Sequence, residues 1–318
     1  MSVRNGGEFL REAVDSILGQ TLSDLEFVVI DDGSTDGSGE VLGSYTDPRL
    51  VVVKGEARGL APSLNAGIRR ARADLIARMD ADDISEPSRL ERQVRFLADH
   101  PDHVLVGSDA RVISEDGTPL YQARLVTDNL AIQSCLDRMV SPFYHGSVVF
   151  RRGACIEAGL YDEGIPQHVE DILLWSKLRR LGAMANVPEP LYRYRLRAQS
   201  VSRQPKRGRK AKARMLRDYA ATGTFTAADA QLLATSSGRG GSARRGRASY
   251  ELDLGKVYLD QVGDISRARR HLARALTLSP GLSRAWFNIA LTLMPRSIRV
   301  RRITRRNRRI FLRTDRSS

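Results

Sequence analysis

An apolar run that drives straight into three carboxylates constrains this chain more than any other feature. The stretch is Leu75-Ile76-Ala77-Arg78-Met79-Asp80-Ala81-Asp82-Asp83-Ile84. In extended backbone alternate side chains share a face, so Asp80 and Asp82 point one way and Asp83 the other. Hard divalent cations, Mn2+ or Mg2+, take one or two carboxylate oxygens and leave their other positions to water and phosphate oxygens. An Asp-x-Asp at the C-terminal end of a strand supplies that arrangement. Taken alone, the same residues also serve as an acidic loop and helix cap, because Ser85-Glu86-Pro87 follows and a helical pattern starts at Pro87. A second acidic cluster, Val28-Val29-Ile30-Asp31-Asp32-Gly33-Ser34-Thr35-Asp36, also ends an apolar run. Ligands of open α/β sheets bind outside the carboxyl ends of strands, so two acidic strand ends in one sheet make a site.

The periodicity around these ends alternates between helix and strand. Phe9, Leu10, Ala13, Val14, Ile17 and Leu18 fall at helical spacing, and Leu25 to Ile30 reads as a buried strand. A polar helix near Asp36–Ser44, a strand Leu50–Val53, a helix Leu60–Ala71, a strand Leu75–Met79 and a helix Pro87–Ala98 follow. That order predicts the α/β class, a mostly parallel twisted sheet flanked by helices. Beyond Pro101 the pattern becomes mixed. His103–Ile113 and Leu120–Leu125 frame the turn Glu115-Asp116-Gly117-Thr118 as a hairpin, a short helix spans Asn129–Met139, and a strand runs from His145 to Phe150. A helix then opens at His168-Val169-Glu170-Asp171 and buries positions 172, 174, 175, 178 and 181.

Charge divides the chain. Residues 1–200 carry 23 basic and 30 acidic side chains, residues 201–318 carry 28 and 7, so a net +14 hides halves of −7 and +21. Two units with different jobs are expected. The first is 1–201, followed by a basic flexible linker over 202–247 with its Gly/Ser-rich stretch 235–242. Residues 248–294 outline two helices and the start of a third, resembling one tetratricopeptide-type unit. An arginine-rich tail, 295–318, holds ten arginines. Cys135 and Cys155 make no disulfide framework and lack metal-ligand spacing, and no run approaches the ~18–20 apolar residues of a membrane span, so a cytoplasmic protein is expected. Nucleic-acid binding through the basic half is unlikely in this reading, since it calls for stacking aromatics among the basic residues, and the arginine segment offers only Phe311.

Several stretches, in order over about residues 3–201, resemble the family 2 glycosyltransferases, the inverting group with the GT-A nucleotide-diphosphosugar fold. They are Arg4-Asn5-Gly6, Phe9 to Leu18 with Gln20-Thr21, Asp31 to Asp36, Gly59-Leu60 with Leu64-Asn65-Ala66-Gly67-Ile68, Asp80-Ala81-Asp82-Asp83, and Glu170-Asp171 with Leu174-Trp175. The resemblance implies that Asp31 accepts the N3–H of a uracil or thymine ring and that Asp80 holds the ribose side, with Asn5 and Gly59 also at the donor. It implies that Asp82 coordinates Mn2+ or Mg2+ on the diphosphate, and that Asp171, supported by Glu170, is the general base. The implied function is transfer of a sugar from a UDP- or dTDP-sugar to a hydroxyl acceptor with inversion, in synthesis of a bacterial-type surface polysaccharide or glycolipid. The acceptor would be a saccharide or a lipid-linked one, and 295–318 would dock on an anionic membrane surface. The alternative is a catalytically weak or inactive scaffold of the same fold, whose basic helical tail binds a partner.

Each residue also has a plainer use. Asp31 and Asp32 can cap a turn with Gly33-Ser34, Glu170 and Asp171 suit a helix first turn, and His145 is left out of the catalytic set. Three departures from the family stand out. Leu173 replaces an acidic residue common near the base, and Arg197 stands where a histidine is common. Of an N-terminal strand only Ser2-Val3-Arg4 remains. The chain is therefore expected to start inside a longer reading frame, to leave a gap between the strands ending at Asp31 and Asp80, and to be poorly stable for it.

Overall fold

The computed structural model describes residues 1–164, 169–198, 218, 222 and 243–294. Most of the expected linker and the whole arginine-rich segment 295–318 lie outside the described residues. Those described cluster into two units: one from Met1–Val112 and Gln122–Arg195, the other from Ile113–Tyr121, Leu196–Ser200 and the chain beyond Arg239.

The first unit opens with β1 (Ser2–Val3), a 3-10 turn at Gly7–Phe9 and α1 (Leu10–Leu18). Leu10, Ala13, Val14 and Ile17 are the buried stripe of α1, the spacing of one helical face. Then come β2 (Phe27–Asp31), α2 (Ser38–Gly43), β3 (Leu50–Lys54), α3 (Leu60–Arg70), β4 (Leu75–Ala77), β5 (Ile84–Ser85) and α4 (Arg89–Asp99). The second half adds β6 (His103–Ile113), β7 (Pro119–Ala123), α5 (Asn129–Asp137), β8 (Val149–Arg151), α6 (Arg152–Glu157), α7 (Glu170–Leu178) and β9 (Ala183–Arg195).

The strands form two sheets. One is parallel, in the order β1-β2-β3, with Val3 opposite Asp31 and Asp31 opposite Lys54. The other runs β4-β8-β6-β9-β5 with β7 beside β6, and its β4–β8, β6–β8 and β5–β9 pairs are antiparallel. Parallel pairing joins the first three strands, and β9 also runs parallel to β6, since the Ala183 N–H donates to the Asp102 carbonyl at one end and the Leu196 N–H to the Ile113 carbonyl at the other, each at 2.9 Å; the strand leading to Asp80 pairs with β8. Among the described residues no ladder joins β1 to β4. Between β2 and β4 lies a cavity of about 380 Å³, lined by Phe27, Val28, Leu64, Ile76, Met79 and Phe150 among others.

β9 has no counterpart in the sequence reading. Pro188 and Pro190 argue against a strand, yet the chain there is accommodated because both prolines fall where the strand is least buried, between Val187 and Leu191. Asn186 secures it by donating to the carbonyls of Val126 and Pro142 at 2.8 and 3.0 Å. His145–Ser147, expected as strand, is a 3-10 turn ahead of β8.

In the second unit, helices Ala243–Val257, Ile265–Leu278 and Ser283–Leu293 share a core of Leu252, Leu272, Ala275, Leu276 and Ala285. Asp264 caps the middle helix by accepting from the Arg267 N–H at 2.9 Å. Glu115, in the tip of the hairpin, meets Arg247 at 2.5 Å and accepts the Ala198 N–H at 2.6 Å. No helix among the described residues is long and apolar enough to cross a membrane.

Candidate active site

The end of β2 is tied to the segment after β1. Asn5 has a left-handed backbone, φ 57°, a conformation Asn tolerates better than most residues. Its Oδ1 accepts from Thr35 N–H at 2.8 Å, its N–H donates to Ser34 Oγ at 3.0 Å, and Gly7 N–H donates to Asp36 at 2.9 Å. Asp31, half-buried at the strand end, accepts the Ser34 N–H at 3.0 Å. Asp32 does not share that turn. It points inward, 2% exposed, and accepts the N–H groups of Arg58 and Gly59 at 3.1 and 2.8 Å. Gly59 has φ 101° and ψ −174°, open to glycine alone, and this presents its N–H to Asp32 as α3 begins. Asn5 and Asp31 thus meet through Ser34 in one turn, while Gly59 is held by the neighbouring Asp32.

The second acidic cluster follows β4 as a turn. Asp80 is ion-paired with Arg78, a side chain 5% exposed. Asp83 is buried and accepts from Tyr192 Oη at 2.8 Å and from the Arg195 N–H at 2.7 Å. Burial pushes the Asp83 carboxyl well above its ordinary value, and the charges of Asp82 and Asp80 push the same way. Asp82, half-buried, is fixed through its backbone, whose carbonyl accepts from Arg195 Nε at 2.9 Å. From α4, the fully buried Arg89 donates to the carbonyls of Arg78 and Gly146 at 2.8 Å each, and Gln93 donates to those of Val106 and Ser147. Gly146 has no room for a side chain: a Cβ there would sit 1.8 Å from Tyr192 Oη and 2.9 Å from Asp80 Oδ2.

Glu170 and Asp171 open α7, where the exposed N–H groups of a helix favour carboxylates. Glu170 is buried, accepts the Val169 N–H at 3.0 Å and approaches His145 Nδ1 at 3.9 Å. Burial raises the Asp171 carboxyl above its ordinary value, against hydrogen bonds from the Ile172 N–H and Ser141 and the charge of Arg78. His145 is held well below its ordinary value by burial and by Arg78, so it stays neutral. Its Nε2 lies 2.9 Å from Tyr161 Oη.

A continuous network joins the two ends. Asn65 of α3 donates to the Tyr161 carbonyl and accepts the Tyr161 N–H, at 2.8 and 3.0 Å, and also meets Glu163, which pairs with Arg58 at 2.9 Å. The chain of contacts therefore runs from Asp32 through Arg58, Glu163, Asn65, Tyr161 and His145 to Glu170. Its middle is buried, at Asn65 and Tyr161, while the Arg58–Glu163 pair that closes it towards Asp32 lies at the surface, with side chains 56% and 30% exposed.

The model of glycosyl transferase family 2 matches residues 1–159. The chain belongs to glycosyltransferase family 2. It is 32% identical over 201 residues to the amylovoran biosynthesis glycosyltransferase AmsE of Erwinia amylovora, covering 62% of this chain and 74% of that protein. In structure it is similar to S. aureus TarS 1–349 in complex with UDP-GlcNAc, at a TM-score of 0.55, 16% identity, and 92% and 88% coverage of the two chains. It is also similar to the mannosyltransferase PcManGT from Pyrobaculum calidifontis in complex with GDP-Man and Mn2+, at a TM-score of 0.50, 19% identity, and 96% and 85% coverage. At such identities the structural likeness carries the fold.

Within this glycosyltransferase fold the donor set fits a hard divalent cation in one particular way. Among the described residues no three His, Cys, Asp or Glu side chains are grouped to hold a metal. A carboxylate at the Asp80–Asp83 turn, completed by phosphate oxygens, is the arrangement Mg2+ and Mn2+ accept. Sequence reasoning passed over Arg78, Arg89, Gln93, Tyr161 and Tyr192. For two of them a signal existed, since Arg89 and Gln93 stand on the same buried stripe of α4 as Leu90 and Leu97.

Proposed function

We propose that this glycosyltransferase transfers a sugar from a UDP- or dTDP-sugar to a hydroxyl of a saccharide or lipid-linked acceptor, with inversion. What supports the reading is the set of contacts that links Asp32 and Gly59, beside Asp31 at the end of β2, to the first turn of α7 in a chain of this family. Asp31 accepts the N3–H of the base, a bond open to a carboxylate and closed to an apolar side chain. Asn5 and Gly59 shape the same end, and Asp80 takes the ribose. Asp82 holds Mn2+ or Mg2+, which supplies neutralisation of charge developing on the leaving diphosphate.

Asp171 takes the proton from the acceptor hydroxyl. As it does, the oxygen bonds to the anomeric carbon from the face opposite the leaving group, and the bond from that carbon to the phosphate oxygen breaks. The electron pair and negative charge leave with the nucleoside diphosphate. A carboxylate whose pKa is raised by burial is a stronger base than one in water, and Glu170 and neutral His145 hold the helix turn that presents it.

The test is Asp171→Asn. Nucleotide affinity by calorimetry should stay within about twofold while turnover falls ~100-fold or more, the usual share of a general base. In the wild type, kcat/KM should rise with pH through a limb above the ordinary Asp value of ~3.9. An unchanged turnover in the variant would end the assignment. The segment 295–318 lies outside the described residues; its ten arginines support docking on an anionic membrane surface, where a lipid-linked acceptor would lie.

A further inference from the structure

Arg78 is left without a role by the reaction above. It precedes Asp80 by two residues, is 5% exposed, and ion-pairs with the Asp80 carboxylate through Nη1. Neither its buried Nε nor its Nη1 makes a hydrogen bond of ordinary geometry, so Nη1 meets Asp80 as an ion pair. The Arg78 N–H donates to the Val148 carbonyl at 2.9 Å and its own carbonyl accepts from Arg89, so the backbone beneath it is fixed. Burial disfavours the guanidinium charge and Asp80 more than restores it, leaving a permanent cation inside the site. Tyr192 and the Arg195 N–H engage Asp83 in the same turn.

A buried cation on a carboxylate acts in two ways. It takes lone pairs that a metal would use, and it repels a second cation more strongly than water would allow. We infer that Arg78 is a positioning residue that keeps Asp80 out of the metal's coordination shell and reserves it for the nucleotide, so that the protein acquires its divalent ion together with the diphosphate. The inference rests on the reading that Asp82 and the diphosphate hold the ion. It explains why an acidic turn of three carboxylates forms no grouped metal site by itself among the described residues.

The experiment is a Mn2+ titration of the full chain followed by electron paramagnetic resonance, with and without UDP. In the wild type, Mn2+ should bind tightly only when UDP is present. Arg78→Met should raise the affinity for Mn2+ alone roughly tenfold or more, since one more carboxylate becomes a ligand. Adding Asp80→Asn to that variant should remove the gain, and Arg78→Lys should behave as the wild type. Arg78→Gln carries the same expectation as Arg78→Met, should the methionine chain not fold. An unchanged Mn2+ affinity on removing the charge, a gain that survives Asp80→Asn, or a wild type that binds Mn2+ equally well without UDP would each overturn the inference. A wild type that takes up no Mn2+ even with UDP would instead remove the metal reading beneath it.

Discussion

Two adjacent aspartates end β2 in different surroundings, Asp31 at a turn and Asp32 buried, and substitution can separate the proposed nucleotide contact of the first from the structural bonds of the second. Asp32 is 2% exposed and satisfies two backbone N–H groups, of Arg58 and Gly59. Its ion pair with Arg4 is 3.8 Å long and Arg4 is 55% exposed, so that contact adds little. Asp32→Ala leaves both N–H groups without their acceptor, at ~1–3 kcal/mol each, for a total of about 2–6 kcal/mol. Against a domain stability of ~5–15 kcal/mol this is a large share. It corresponds to a loss of roughly 10 °C in melting temperature for a unit of this size. Asp32→Asn keeps one acceptor oxygen and should lose about half as much. Asp31→Asn forfeits at most one weak cap at Ser34 and should melt near the wild type, yet bind UDP less tightly. Scanning fluorimetry with UDP calorimetry on the three variants reads both quantities. An Asp32→Ala chain melting within about 2 °C of the wild type would refute the clamp, because that shift is worth less than one hydrogen bond.

Two further outcomes are expected. Asp83 has a raised folded-state pKa, so the stability tied to its protonation is fully present below the unfolded value of ~3.9 and is lost as pH rises through the folded one. Asp83→Asn should therefore gain on the wild type in thermal melts as pH rises above the unfolded value of ~3.9; parallel profiles would contradict this. Removing residues 295–318 should abolish sedimentation with anionic vesicles, each arginine near such a surface being worth about 1 kcal/mol; binding that survives the deletion would rule out the tail.

The parts of this fold set by local periodicity were legible in the sequence, and those set by distant partners were not. The stripe Leu10, Ala13, Val14 and Ile17 announces α1, and the apolar run to Asp31 announces β2. β9 was hidden because its two prolines sit at a less buried bend, while the strand itself is held by Asn186 and by pairing with β5. Which of Asp31 and Asp32 turns inward depends on where the Arg58–Gly59 loop passes, some 27 residues later. The carboxylates at both strand ends could be singled out from residue type and position, and those at α7 only through the resemblance to the family. Their connection through Asn65, Tyr161 and His145 could not, because it is made by side chains from three elements with no shared spacing.

The central claim is that this chain activates a nucleotide sugar. The most direct measurement is release of nucleoside diphosphate from a panel of UDP-, dTDP- and GDP-sugars in the presence of Mn2+, by wild type and by Asp82→Asn. The account predicts slow hydrolysis of one or a few UDP- or dTDP-sugars that EDTA abolishes, and a fall of ~100-fold or more in the variant, the size expected when charge on a leaving group is no longer neutralised. Hydrolysis indifferent to both EDTA and Asp82→Asn, or a preference for GDP-sugars, would contradict it.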